Sequence, residues 1–174
     1  MIRHAPRASL CSRSVSSSNI AERSGDQSEI IFLGTGTSEG IPRVSCLTNP
    51  VDTCPVCSKA TEPDNKNRRH NTSILIRYPG SCGHSNIVID AGKFFYHSAL
   101  RWFPHYGIRT IDAVVITHSH ADAIGGLDDL RDWTNNVQAC VPIYVAERDF
   151  EVFLSITMLC NGTRFFIIVK LQKH

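Results

Sequence analysis

The sequence predicts an α/β domain, and three observations carry that prediction. Residues 111–117, IDAVVIT, are a short apolar, β-branched run with the composition and length of a buried strand. After a loop rich in histidine and glycine, GLDDLRDWTNN (126–136) places apolar residues at 127, 130 and 133, a helical spacing. From residue 86 onward, strand-type and helix-type segments alternate in this way along the chain.

Taken in order, Glu29 to Leu33 reads as a strand. GTGTSEG (34–40) is a turn-rich loop and not a dinucleotide fingerprint, because its third glycine has the wrong spacing and no long helix follows. A polar loop with several cysteines runs over about 42–70. Strands are expected at 72–78 and 86–90, joined by the hairpin loop PGSCGHS. KFFYHSALRWF (93–103) has helical apolar spacing and is expected to end at Pro104. The 111–117 strand and the 126–136 helix follow, then a strand at 141–145 and a helix over 147–159. No internal repeat is visible.

At 174 residues the chain has the length of one domain, and a hydrophobic content of 42% is ordinary for a globular protein. No apolar run reaches the ~20 residues that a membrane helix needs. The net charge of +2 is uneven. Residues 1–25 hold Arg3, Arg7, Arg13 and Arg23 against Glu22, which leaves 14 basic and 15 acidic residues in the rest. The body therefore has no general basic excess of the kind that marks a nucleic-acid-binding domain. The Arg- and Ser-rich start, residues 1–28, reads as a disordered tail or a mitochondrial or chloroplast transit peptide. The location expected is the cytoplasm or an organelle. With no secretory apolar core, the chain is not expected to be secreted, and the Asn71-Thr72-Ser73 sequon carries no meaning. Seven cysteines in that setting point to reduced thiols or metal ligands.

The chemistry is concentrated in THSHADAIGG (117–126). In an extended chain His118, His120 and Asp122 project to one side, while Ser119, Ala121 and Ala123 are small and point to the other. Gly125 and Gly126 allow a turn or a close approach. Two imidazoles and a carboxylate suit zinc, iron or manganese, and ligands at the carboxyl end of a strand lie where α/β sheets place their sites. The alternative is a polar loop without a metal.

His118-Ser-His120-Ala-Asp122 with Gly125-Gly126 resembles the His-x-His-x-Asp-His signature of the metallo-β-lactamase superfamily. IFLGTGTSEGIP (31–42), NTSILI (71–76) and NIVIDAG (86–92) look like the opening of its phosphodiesterase branch, which includes tRNA 3′-processing endonucleases and phosphoribosyl cyclic phosphate phosphodiesterases. The likeness runs from about 29 to about 154 and implies an α/β fold that is the amino-terminal half of an αββα sandwich. The expected division is an incomplete domain over 29–158 and an atypical carboxyl tail over 159–174, as in a truncated isoform. Half a sandwich would leave one sheet face uncovered. The departure is Ala123, where the pattern has a histidine for a second metal, so one or two ions are expected.

The resemblance implies a metal-dependent phosphodiesterase acting on a small cyclic phosphate or an RNA end, with zinc first and manganese or iron as alternatives, and with activity expected to be impaired in a chain that lacks the second half of the sandwich. His118 and His120 would hold the metal, and Asp122 would orient the attacking group or accept its proton. Asp90, at the end of NIVID, would support the ligands as a hydrogen-bond acceptor, or else serve as a turn aspartate. Cys46, Cys54 and Cys57 form a structural zinc half-site, with a redox pair or idle loop cysteines as alternatives. In the cyclic phosphate enzymes the fourth ligand looks to be a late histidine, for which His70, His84, Cys82 and His174 are the stand-ins here. Asp128 and Asp129 read as a solvated helix face. Arg68 and Arg69 are loop charges or a phosphate contact. His4, His97 and His105 have no assigned task. Rival functions are a thiolester or other acyl hydrolase of the same fold, and a non-catalytic metal-binding remnant.

Overall fold

The computed structural model describes residues 27–81, 83–157 and 165–169. Most of the amino-terminal segment expected as a tail or transit peptide lies outside them. The described residues form one six-stranded sheet whose spatial order equals its chain order. β1 (Glu29–Gly34), β2 (Ser73–Gly80) and β3 (Gly83–Ile89) are an antiparallel meander. β4 (Ala113–Val115), β5 (Val141–Val145) and β6 (Phe165–Val169) then add in parallel. Parallel neighbours need crossovers, and helices supply them. These are α3 (Phe95–Tyr106), α5 (Asp129–Asn136) and α6 (Phe150–Thr157). The α/β class is as the sequence predicts.

The two sheet faces differ. Leu33, Leu75, Val88, Val114 and Ile143 are buried in one core with Phe95 and Phe103 of α3, Leu130 of α5 and Phe153 of α6. On the opposite face Ile30 and Phe32 are 65% and 58% exposed. Their partners across the sheet, Ile76 and Ile74, pair in turn with Ile87 and Ile89, and all four are only half-buried. The sheet is therefore apolar on both sides and covered by helices on one, as expected of half a sandwich.

Several local expectations change, among them the helix expected over 147–159, which is a tight turn at Glu147–Asp149 followed by α6. The helix predicted to stop at Pro104 continues to Tyr106 and ends at Gly107, whose φ of 62° is left-handed and whose N–H returns to Phe103 and Pro104 carbonyls. A proline in the last turn removes one backbone bond and is tolerated there; the glycine makes the stop. The strand predicted over 111–117 has ladder pairing only at Ala113–Val115. Side chains take over at its ends, with Gln138 holding both the N–H and the carbonyl of Ile111 at 2.8 Å. The polar loop contains two short helices that composition did not signal, α1 (Val44–Leu47) and α2 (Pro55–Lys59). Within the segment set apart as a tail, residues 165–169 pair with β5 as the sixth strand.

Candidate metal centre

The ends of β3 and β4 deliver the ligand loop. Asp90 follows β3 and Thr117 follows β4. Between them and the short helix α4 (Ala121–Ile124) the backbone is cross-tied, Ala91 N–H to the Ala123 carbonyl at 2.8 Å and Gly126 N–H to the Ala91 carbonyl at 2.8 Å. Gly92 and Gly126 permit this. A Cβ on Gly92 would collide with the Asp122 carbonyl, and one on Gly126 with the Gly92 carbonyl.

His118, His120 and Asp122 offer ligand atoms that all lie within 4.8 Å of one another. The grouping is as the sequence predicts, but its route is different. Strand alternation does not extend to Asp122. His120 is the last extended residue (φ −88°, ψ 159°), and Asp122 sits in the first turn of α4. The chain turns back on itself, so His118 Nε2 lies 3.3 Å from Asp122 Oδ1 as an i,i+4 pair. The two imidazole rings stand nearly perpendicular with centroids 5.0 Å apart.

The state of His118 follows from its other nitrogen. Asp90 accepts the Thr117 backbone N–H at 2.8 Å and the Thr117 hydroxyl at 2.7 Å, and Thr117 Oγ1 lies 2.9 Å from His118 Nδ1. A hydroxyl has one hydrogen. With Asp90 ionised, that hydrogen points to Asp90, so in the neutral ring His118 Nδ1–H donates to Thr117 and Nε2 carries the lone pair. Nε2 and the Asp122 carboxylate are then two acceptors facing each other, an arrangement that suits a cation between them. Asp90 thus reaches His118 through Thr117. Burial raises its pKa, opposed by the two bonds from Thr117. Its left-handed backbone, φ 61°, is one that aspartate tolerates.

Sequence reasoning missed two contributors. Thr117 could have been noticed as a hydroxyl directly before the first histidine. Asp149 carried no signal. It accepts the Ser119 hydroxyl at 3.0 Å, tying the 117–122 loop to the turn between β5 and α6, and its pKa is lowered, first by Arg148 and then by Ser119. Ala123 is fully buried in the core. Asp128 pairs with Arg131 at 2.9 Å on the exposed face of α5. Asp129, half-buried at the start of α5, has its pKa raised by burial, opposed by the Tyr96 backbone. Neither joins the His118 cluster.

Cys46, Cys54 and Cys57 come together from α1 and the first turns of α2, their sulfur atoms all within 4.8 Å, and all three are free thiols. The Cys54 pKa is lowered, chiefly by the Cys57 backbone N–H. At Cys57 the Arg43 N–H acts to lower the pKa, but burial and the neighbouring thiols outweigh it and the net shift is upward. Three crowded soft donors of this kind fit zinc. His70 does not join them; it meets Ser98 Oγ at 2.9 Å and stacks on Phe94. His84, on β3, does not join either. Cys82 and His174 lie outside the described residues. Asn71, of the sequon, is buried and donates to the Thr37 and Ser38 carbonyls.

The metallo-beta-lactamase superfamily model matches residues 67–155, about half of the chain. An octanoyltransferase of Porphyromonas gingivalis is 41% identical over 101 residues, which are 58% of this chain and 17% of that protein. A crystal structure of a diphosphatase from the PhnP family superposes with a TM-score of 0.66 at 31% identity, covering 83% of this chain and 51% of that one. The metallo-beta-lactamase fold protein YhfI from Bacillus subtilis shares the fold, with a TM-score of 0.54 at 17% identity, over 84% of this chain and 47% of its own. The chain thus spans about half the length of these solved structures and a smaller part of the curated relative. Among the described residues no helix is long and apolar enough to cross a membrane.

Proposed function

The chain belongs to the metallo-beta-lactamase superfamily, and from that premise we propose that it is a metal-dependent hydrolase whose substrate is a phosphodiester, either a small cyclic phosphate or an RNA end. The observation that carries this reading is the convergence of His118, His120 and Asp122, with His118 Nε2 turned toward Asp122. Its support from likeness is the 31% identity to the PhnP-family diphosphatase.

Two imidazoles and one carboxylate are a donor set for zinc, with manganese or iron as alternatives. A divalent ion held there supplies Lewis-acid stabilisation of charge on a phosphoryl oxygen. The rest is the work of the chain. Thr117 and Asp90 keep the His118 lone pair on Nε2. The Ser119–Asp149 bond and the Gly92–Asp122 approach hold the loop in place. Asp122, partly open to solvent, orients the attacking group and can take its proton. The thiols of Cys46, Cys54 and Cys57 are assigned to a separate structural zinc.

The acyl reading rests on the octanoyltransferase match, which touches only 17% of that protein. A turnover comparison separates the two. Purified chain, with zinc or manganese added, is offered a cyclic phosphate, bis-p-nitrophenyl phosphate and an acyl thioester. Diester cleavage that falls about a hundredfold in His120→Ala is expected. Thioester cleavage without diester cleavage would overturn the proposal, as would equal metal retention by a His118→Ala/His120→Ala variant once the three cysteines are also replaced.

A further inference from the structure

The function proposed above leaves Arg68 and Arg69 unused, and both face a cavity of about 1120 Å³ between the loops after β1 and α3. None of His118, His120 or Asp122 lines it. Lys93, one of its lining residues, connects it to the His118 loop through a backbone N–H that bonds to the Ala121 carbonyl at 3.1 Å. A body without basic excess concentrates charge here. Arg43, Lys66, Arg68, Arg69, Lys93 and Arg101 line the cavity against two carboxylates, Glu39 and Asp64. Among the described residues none of the six cations has a carboxylate within ion-pair distance. Arg43 is drawn to Cys46 and Glu39; of the others, Arg69 Nη1 donates to Thr35 Oγ1 at 3.1 Å and Arg68 Nε to the Ala60 carbonyl at 3.3 Å.

The same wall carries rings. Phe94, His70, His97 and Trp102 line the cavity. Phe94 and His70 are already stacked at 5.7 Å, Lys93 Nζ lies 5.6 Å from the Phe94 ring, and the Arg101 guanidinium lies 4.8 Å from Trp102. The positive field is felt at His70, where burial lowers the pKa first and His97, Arg68 and Arg101 lower it further. Unpaired guanidinium groups recognise phosphate oxygens, and flat rings beside cations receive an aromatic base.

We propose that this cavity is a nucleotide-binding site, separate from the metal centre, with phosphates on Arg68, Arg69, Lys93 and Arg101 and the base against Phe94 and Trp102. An isolated phosphate would leave the rings unused, and an isolated nucleoside would leave the cations unpaired.

The test uses the full 174-residue chain as purified, with neither metal nor chelator added, and carries His120→Ala beside the wild type, so that it stands apart from the metal-dependent reading. Calorimetry with ADP should give saturable binding that weakens as ionic strength rises. Lys93→Gln/Arg101→Gln, and separately Arg69→Gln, should weaken it about tenfold or more at unchanged melting temperature. Adenosine and inorganic phosphate alone should each bind at least tenfold more weakly. ADP should quench tryptophan fluorescence in the wild type and not in Trp102→Phe, where only Trp133 remains. His120→Ala should bind ADP as the wild type does. The proposal is overturned by absence of saturable binding, by unchanged affinity in the charge variants, by adenosine or phosphate matching ADP, by quenching that survives Trp102→Phe, or by loss of binding in His120→Ala.

Discussion

Asp90 takes both hydrogens that Thr117 can offer, the backbone N–H at 2.8 Å and the hydroxyl at 2.7 Å. That pairing sets the direction of the bond between Thr117 and His118, and so the nitrogen that His118 presents. Asp90→Asn should reverse it. An amide nitrogen would donate to Thr117 Oγ1, Thr117 would donate to His118 Nδ1, and Nε2 would carry the hydrogen facing Asp122. Metal affinity should fall about 10- to 100-fold. Nitrogen NMR of the imidazoles should show the tautomer change at His118; an unchanged tautomer with unchanged affinity refutes the relay.

The same residue yields a pH prediction with a definite sign. Burial raises the Asp90 pKa in the folded chain. At pH values between its unfolded and folded pKa the folded state binds more protons. The ionised carboxylate is therefore a cost at neutral pH that is relieved as pH falls through the raised value. Metal-free Asp90→Asn should melt no lower than the wild type at pH 7. A clearly lower melting temperature there would contradict this account of the burial effect.

Asp149 runs the other way. Its pKa is lowered by Arg148 and Ser119, so its contribution is present above the ordinary aspartate range and is lost as pH falls through the lowered value. Asp149→Asn should make melting less sensitive to acid. It should also loosen the 117–122 loop, seen as faster amide exchange at Ser119 and His120. Wild-type exchange rates in the variant would show that the Ser119 bond does not hold the loop.

Cys54→Ser should lower both the zinc content and the melting temperature, because a structural zinc contributes directly to folding. A redox pair would instead appear as a disulfide in non-reducing mass mapping, with little effect of the substitution under reducing conditions. That second pattern retires the zinc assignment.

Adjacent residues of β1 should respond oppositely. Leu33 is 3% exposed and Phe32 58%. Leu33→Ala should cost about 2–5 kcal/mol, and Phe32→Ser within about 0.5 kcal/mol if the second face is open in solution. Denaturant melts decide it. A large loss in Phe32→Ser would mean that something covers that face.

The α/β class, the strands around 29–33, 72–78, 86–90 and 141–145, and the grouping of His118, His120 and Asp122 were legible in the sequence alone. Those features are local. β-branched runs specify strands, and His118, His120 and Asp122 are too close in the chain to be far apart in space. Tertiary structure decided the rest, because it depends on which distant segments meet. His120 and Asp122 converge through a turn, which Gly92 and Gly126 permit by close backbone approach. Asp90 reaches His118 through Thr117 only because β3 and β4 lie side by side, 27 residues apart in the chain. Asp149 meets Ser119 across 30 residues, and Arg69 meets Thr35 across 34, so neither contact leaves a trace in local spacing. Helix boundaries shifted for the same reason. Pro104 predicts a stop from its missing N–H, but one lost bond in the last turn is cheap, and the chain ends the helix where Gly107 can adopt the left-handed conformation.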